Sequence, residues 1–144
     1  MGLFSSECKF ESSVKQIPYS QEAVYDNISD LSNLTKVQDR VPEDKVNDFK
    51  YDEDTVSLNV APVGELKLRI CEREAPKCVK FELQNAPIKG NLWIQMLPTS
   101  DTTSKMRCTV GVDMNFFMRK MIEKQLKEGV EKLAEMLSRI PYGY

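Results

Sequence analysis

The sequence predicts an α+β domain in which a curved, seven-stranded antiparallel sheet wraps one long C-terminal helix, with two short helices after the first strand. Three observations carry this. From Val46 to Met114 apolar and polar residues alternate, the period of half-buried strands. The turns between these runs are short, so neighbours must pair as antiparallel hairpins; a parallel return needs a crossover of roughly a dozen residues or more. After Asn115 the period becomes helical, and no proline follows until Pro141.

Taken in order, Cys8 to Ile17 alternates as one strand, with Cys8, Phe10, Ser12 and Val14 on the inner side. Pro18 ends it, Ser20 supplies an N-cap oxygen, and Val24, Ile28 and Leu31 follow at helical spacing. A second short helix is expected with Ser32 as cap and Leu34 and Val37 turned inward, closed by Pro42. Strands then run through Phe49 and Tyr51; Val56, Leu58 and Val60; Leu66, Leu68 and Ile70; Val79, Phe81 and Leu83; Leu92 to Leu97; and Met106 to Met114. Breaks fall at Asp52 to Asp54, Pro62 to Gly64, Ala75 to Lys77, Pro87 to Gly90 and Pro98 to Ser104.

In the last segment Met118, Met121, Ile122, Leu126, Val130, Leu133, Leu137 and Ile140 fall on one arc of a helix of about 25 residues, roughly 38 Å long. Lys120, Lys124, Lys127, Glu131 and Glu135 fall opposite. The same arithmetic puts Gln125 and Gly129 within the apolar arc. Glycine inside a helix costs about 1 kcal/mol relative to alanine, so Gly129 predicts either close approach to the sheet or space needed by a ligand.

The chain has 144 residues, 20 basic against 22 acidic, and a net charge of -2. This length predicts one domain, spanning residues 1–144, and an even charge balance argues against a nucleic-acid partner. Histidine is absent. That removes imidazole-based catalysis and the commonest zinc and iron sites, so no metal and no cofactor are expected. No apolar run is long enough to span a membrane. Cys8, Cys71, Cys78 and Cys108 have no CxxC spacing and sit in strand-like stretches, and the N-terminus reads as no secretory signal; reduced thiols and a cytoplasmic location are expected.

Strands with one apolar face need a cover, and only the last helix is long enough to supply it. With the opening Phe10-Glu11-Ser12-Ser13-Val14 before Ile17-Pro18-Tyr19-Ser20-Gln21-Glu22-Ala23-Val24-Tyr25, and with this amphipathic last helix, the chain resembles the START-like helix-grip superfamily, or SRPBCC, of polyketide cyclase-like and lipid-transport proteins. The resemblance covers about residues 7 to 140. It implies an internal cavity between sheet and helix, and no catalytic motif common to all members.

For such a cavity the wall candidates are Tyr51, Leu58, Leu68, Ile70, Phe81, Ile94, Met96, Cys108, Met121, Gln125 and Gly129. The same residue types serve equally well as a filled core. Met106, Met114, Met118, Met121 and Met136 fit an adjustable wall or ordinary gap filling. Alternation does not decide whether Trp93 or Ile94 faces inward; an outward Trp93 needs a helix, a protein partner or a twofold mate. Arg119 in the first turn of the helix opposes the macrodipole and is expected to gain Asp113 or an acidic ligand.

The leading expectation is a non-catalytic protein that binds or transports a small hydrophobic molecule, lipid or aromatic and polyketide-like. The alternatives are a histidine-free cyclase or aromatase using Tyr51, Gln125, Arg119 or an inward Glu72, and a protein-interaction module with a filled core. No catalytic residue is assigned.

Overall fold

The alternating stretches fold as strands β1 (Ser6–Glu11), β2 (Lys15–Ile17), β3 (Val46–Tyr51), β4 (Thr55–Val60), β5 (Gly64–Glu74), β6 (Cys78–Leu83), β7 (Gly90–Pro98) and β8 (Ser104–Met114). Helix α1 (Gln21–Ile28) follows β2, and α2 (Phe116–Ser138) follows β8. These come from a computed structural model that describes residues 6–31, 46–60, 64–84, 90–114 and 116–139. The expected second short helix, from Ser32 to Val37, lies outside the described residues. All pairings are antiparallel, in the order β1-β8-β7-β6-β5-β4-β3, with β2 also on β8. Seven strands therefore make the path, as expected, and the eighth arises because the predicted first strand is broken.

The break is a change of register. Glu11 lies opposite Thr109, but Lys15 lies opposite Met106, so one extra residue has entered the outer strand. Ser12 occupies the gap: its N–H donates to the Cys108 carbonyl at 2.8 Å, and its Oγ accepts the Cys108 N–H at 3.0 Å. A one-residue slip exchanges the two faces of a strand. Cys8 and Phe10 point inward before it and Ile17 after it, while Val14, expected on the inner row, is 51% exposed.

The same device acts in β5. Ile70 faces Phe81 and Glu72 faces Lys80, which leaves Cys71 as the inserted residue. A third shift lies between Asn47 and Lys50 in β3. Bulges bend a strand and raise its twist, and the sheet is curved.

Helix α1 begins where the sequence places it, with the Ala23 N–H donating to Ser20 Oγ at 3.2 Å. It lies on β7 and β6, burying Val24 and Ile28. Two buried polar side chains pin this corner: Gln21 Nε2 donates to the Met96 carbonyl at 3.1 Å, and Ser104 Oγ to the Tyr19 carbonyl at 2.8 Å. Helix α2, 23 residues long, packs mainly on β8, β1 and β2. Among the described residues no helix is long and apolar enough to cross a membrane.

Candidate ligand site

The inner face of the sheet is mostly apolar where its side chains are described, with Ser104 buried beside Met106 and bonded to the Tyr19 carbonyl. Of the wall candidates, Ile70, Phe81, Ile94, Met96 and Cys108 are buried together in one core cluster, and Leu68 is half-buried against it. Tyr51 and Leu58 lie in β3 and β4, and their side chains lie outside the described residues. Leu92 and Met106 occupy the same inner face and were not among the candidates. Alternation in β7 and β8 carries that signal, since Leu92, Ile94 and Met96 are buried in turn, as are Met106 and Cys108.

The helix side of the site differs from expectation. The buried stripe of α2 is Val130, Ala134 and Leu137, flanked by Ile122, Leu126 and Leu133. Met121 and Val130, nine residues apart, fall on opposite sides of a helix that turns about 100° per residue. Met121 is accordingly 73% exposed. Gln125 and Gly129 are exposed as well, and a Cβ built on Gly129 would meet nothing within 4 Å. These three do not face the core, and Gly129 makes no close approach to the sheet. The apolar arc expected from the sequence is centred too far round because it takes Met121 as core-facing; the Met118 side chain and Ile140 lie outside the described residues. Hydropathy cannot tell an exposed methionine from a buried one.

The stripe has a half-buried flank: Val130, Ala134 and Leu137 are buried, whereas Ile122, Leu126 and Leu133, along one side of them, are only half-buried. Val110 on β8 and Leu68 on β5 are half-buried too. Apolar surface is thus left partly open along this flank of α2.

In its first half α2 carries charged groups on the meridian of the buried stripe, Arg119 eighteen residues before Leu137 and Glu123 seven before Val130. Arg119 Nε pairs with Glu123 Oε2 at 3.2 Å rather than with Asp113. Glu123 also receives Lys127 Nζ at 2.9 Å, and these two cations, Lys127 first, hold its carboxyl below the ordinary value. Farther along, Glu131 reaches the break between β1 and β2. Its Oε1 accepts the Ser13 N–H at 2.8 Å, its Oε2 accepts Ser13 Oγ at 2.7 Å, and Lys15 Nζ lies 2.6 Å from the same oxygen. Lys15 and Ser13 hold the Glu131 carboxyl down at about 2. The sequence places Glu131 only on the face opposite the apolar arc, because the broken strand it clamps has no signature in its own segment.

The outer face of the sheet takes the remaining candidates. Ile94, at 3% exposed, faces inward, so Trp93 faces outward. Lys80, its cross-strand neighbour on β6, and Lys9 on β1 place their Nζ atoms 5.4 and 5.3 Å from the ring centroid. Gly111 lies between Lys9 and Asn91 in register and leaves the lysine stem room to cross β8. Glu72 is exposed on this face opposite Lys80, because the Cys71 insertion reverses the alternation that would have turned it inward. With Glu74, Cys78, Lys80 and Trp93 it lines a shallow outer cleft. All four cysteines are free; Cys8 and Cys108 are buried, and burial pushes the Cys108 thiol up to about 12. Among the described residues no group of acidic and thiol side chains could hold a metal ion.

A curved antiparallel sheet gripping one long C-terminal helix, with the shorter helix after the opening strands, is the START-like helix-grip fold. No family model matches the chain, and no curated protein matches it in sequence. Within that fold it is similar to norcoclaurine synthase from Thalictrum flavum, with a TM-score of 0.78 at 10% identity over 96% of each chain. The same enzyme in complex with dopamine and hydroxybenzaldehyde gives 0.75 at 12% identity, covering 96% of this chain and 91% of that one. A conserved protein from Geobacillus kaustophilus gives 0.59 at 14% identity, covering 92% and 93%. Identities this low speak for the fold and leave function to the site.

Proposed function

We propose that this protein binds a small apolar or aromatic molecule between the inner face of the sheet and the N-terminal half of α2. The observation that carries the reading is the half-open flank of the stripe: Ile122, Leu126 and Leu133 keep apolar surface exposed beside the buried Val130, Ala134 and Leu137. A filled core would be expected to bury this stripe evenly, since exposed apolar surface costs about 25 cal/mol per Å². Leu68 and Val110 supply the facing apolar surface, and Ile70, Phe81, Ile94, Met96 and Cys108 form the deeper wall. The structural likeness to an enzyme held with dopamine and hydroxybenzaldehyde supports a small-molecule ligand for this fold.

A carrier or binding role is favoured over a cyclase. Of the acid-base groups considered for catalysis, Glu72 points to the outer face and Arg119 and Gln125 are exposed, while the Tyr51 side chain lies outside the described residues. Native and denaturing mass spectra of freshly purified protein test the reading, repeated after incubation with a mixture of small aromatics and lipids. A discrete added mass that Leu126→Trp abolishes, in a variant with unchanged circular dichroism, is expected. No added mass under any condition would overturn it.

A further inference from the structure

Helix α2 carries its charges in the reverse of the order its dipole favours. The N-terminus of a helix is electrically positive and the C-terminus negative, so acids are favoured in the first turns and bases in the last. Residues 119–127 hold Arg119, Lys120, Lys124 and Lys127 against Glu123 alone, whereas residues 128–135 hold Glu128, Glu131 and Glu135 against Lys132. The first turn has no acidic residue and the last no basic one. Glu123 is shared between Arg119 and Lys127, so positive charge is left in surplus here, on a chain whose net charge is -2. Within this stretch Met121 is 73% exposed, well beyond Val14 and Leu97 at 51%. Exposed Lys124 falls about 60° round the helix from Met121, and exposed Lys120 about 40° beyond it. Glu128, seven residues past Met121, bounds the patch.

An apolar side chain standing in water beside a surplus of cations calls for a partner with dense negative charge over an apolar layer. A bilayer with anionic headgroups supplies both, and each lysine close to such a surface adds to the attraction. We propose that Lys120, Met121 and Lys124 dock on an anionic lipid surface, with the ammonium groups on the headgroups and the Met121 side chain entering the boundary beneath them. The headgroups then also supply the negative charge that the first turns of α2 lack. The proposal is independent of the ligand reading and can fail while that reading holds.

Sedimentation of the full chain with extruded vesicles tests this. An equal mixture of phosphatidylcholine and phosphatidylserine should take up the protein about tenfold or more better than phosphatidylcholine alone. Salt at about 1 M, which screens charges within about 3 Å, should remove the difference. Lys120→Gln together with Lys124→Gln should lower uptake by the mixed vesicles about tenfold or more, and Met121→Gln about threefold or more. Glutamine is a good helix former, and removing cations near the N-terminus relieves the dipole, so the melting temperature should not fall. That separates lost docking from lost folding, and if the double variant does unfold, Met121→Gln at its exposed position still decides. Lys77→Gln with Lys105→Gln makes the same change of net charge on the sheet, at a turn and in β8, and should leave uptake within about twofold. An equal loss in that pair would put the attraction in overall charge and overturn the proposal. Equal uptake by the two kinds of vesicle, or uptake by neither, overturns it as well.

Discussion

The carboxylate of Glu131 takes both the backbone N–H and the hydroxyl of Ser13, at 2.8 and 2.7 Å, so that one helix residue closes the break in the sheet's opening strand. This contact spans 118 positions of sequence. It ties the C-terminal half of α2 to the strand pair β1 and β2, beside the stretch where Val130 and Ala134 are buried.

Glu131→Gln is expected to lower stability at neutral pH by removing the Lys15 ion pair and weakening the Ser13 contacts. Folding lowers the Glu131 pKa from its ordinary 4.5 to about 2. A depressed carboxylate contributes fully above its unfolded pKa and loses that contribution as pH falls through the folded one. Urea midpoints of the two proteins should therefore differ above pH 4.5 and converge as pH falls toward 2. A difference that persists unchanged across that range would show that charge plays no part.

Two methionines offer a sharper contrast than composition allows. Met96 is 1% exposed within the core and Met121 is 73% exposed. Met96→Ala should cost about 2–5 kcal/mol, and Met121→Ala should stay within about 0.5 kcal/mol. Chemical denaturation of both variants checks this, and equal costs would mean that the helix is rotated from the orientation described.

Gly129→Ala should stabilise the protein by about 0.5–1 kcal/mol, because the new methyl group meets nothing within 4 Å and the unfolded chain loses freedom. A rise in Tm is the expected readout. A fall would place packed atoms against this position.

Trp93 is the sole tryptophan, so its emission reports one place on the outer face. Lys9→Met and Lys80→Met should each shift that emission and cost about 0.5–1 kcal/mol, the usual worth of an exposed cation–π contact. An apolar molecule bound on the inner face should leave the emission nearly unchanged. Strong quenching on binding would place the site on the outer face instead.

Thiol labelling should follow burial. Exposed Cys71 is expected to react first and half-buried Cys78 more slowly, both sluggishly at neutral pH because partial burial raises their pKa values. Cys8 and Cys108 should react only on unfolding. Prompt labelling of Cys108 in the native protein would contradict the closed wall assigned to it.

Much of this architecture is legible in local pattern. The alternation of Leu92, Ile94 and Met96, the Ser20 cap and the proline-free stretch after Asn115 each depend on neighbours a few residues away, and each element stands where that pattern puts it. The same holds for the burial of Ile70, Phe81, Ile94, Met96 and Cys108, because inward strand positions repeat every second residue.

What local pattern does not contain is the register between distant segments. The inserted residues near Ser12 and at Cys71 exchange the faces of everything beyond them, sending Val14 and Glu72 outward, and nothing in either strand announces a bulge. Nor does periodicity settle the rotation of α2, since Met121 and Val130 are both apolar and only the surface of β8, β1 and β2 selects which one is covered. Strand and helix formation follow from short-range spacing, so the chain itself determines them. Which face meets which partner depends on contacts between residues far apart in sequence, and those exist only once the sheet has curved and the helix has settled on it.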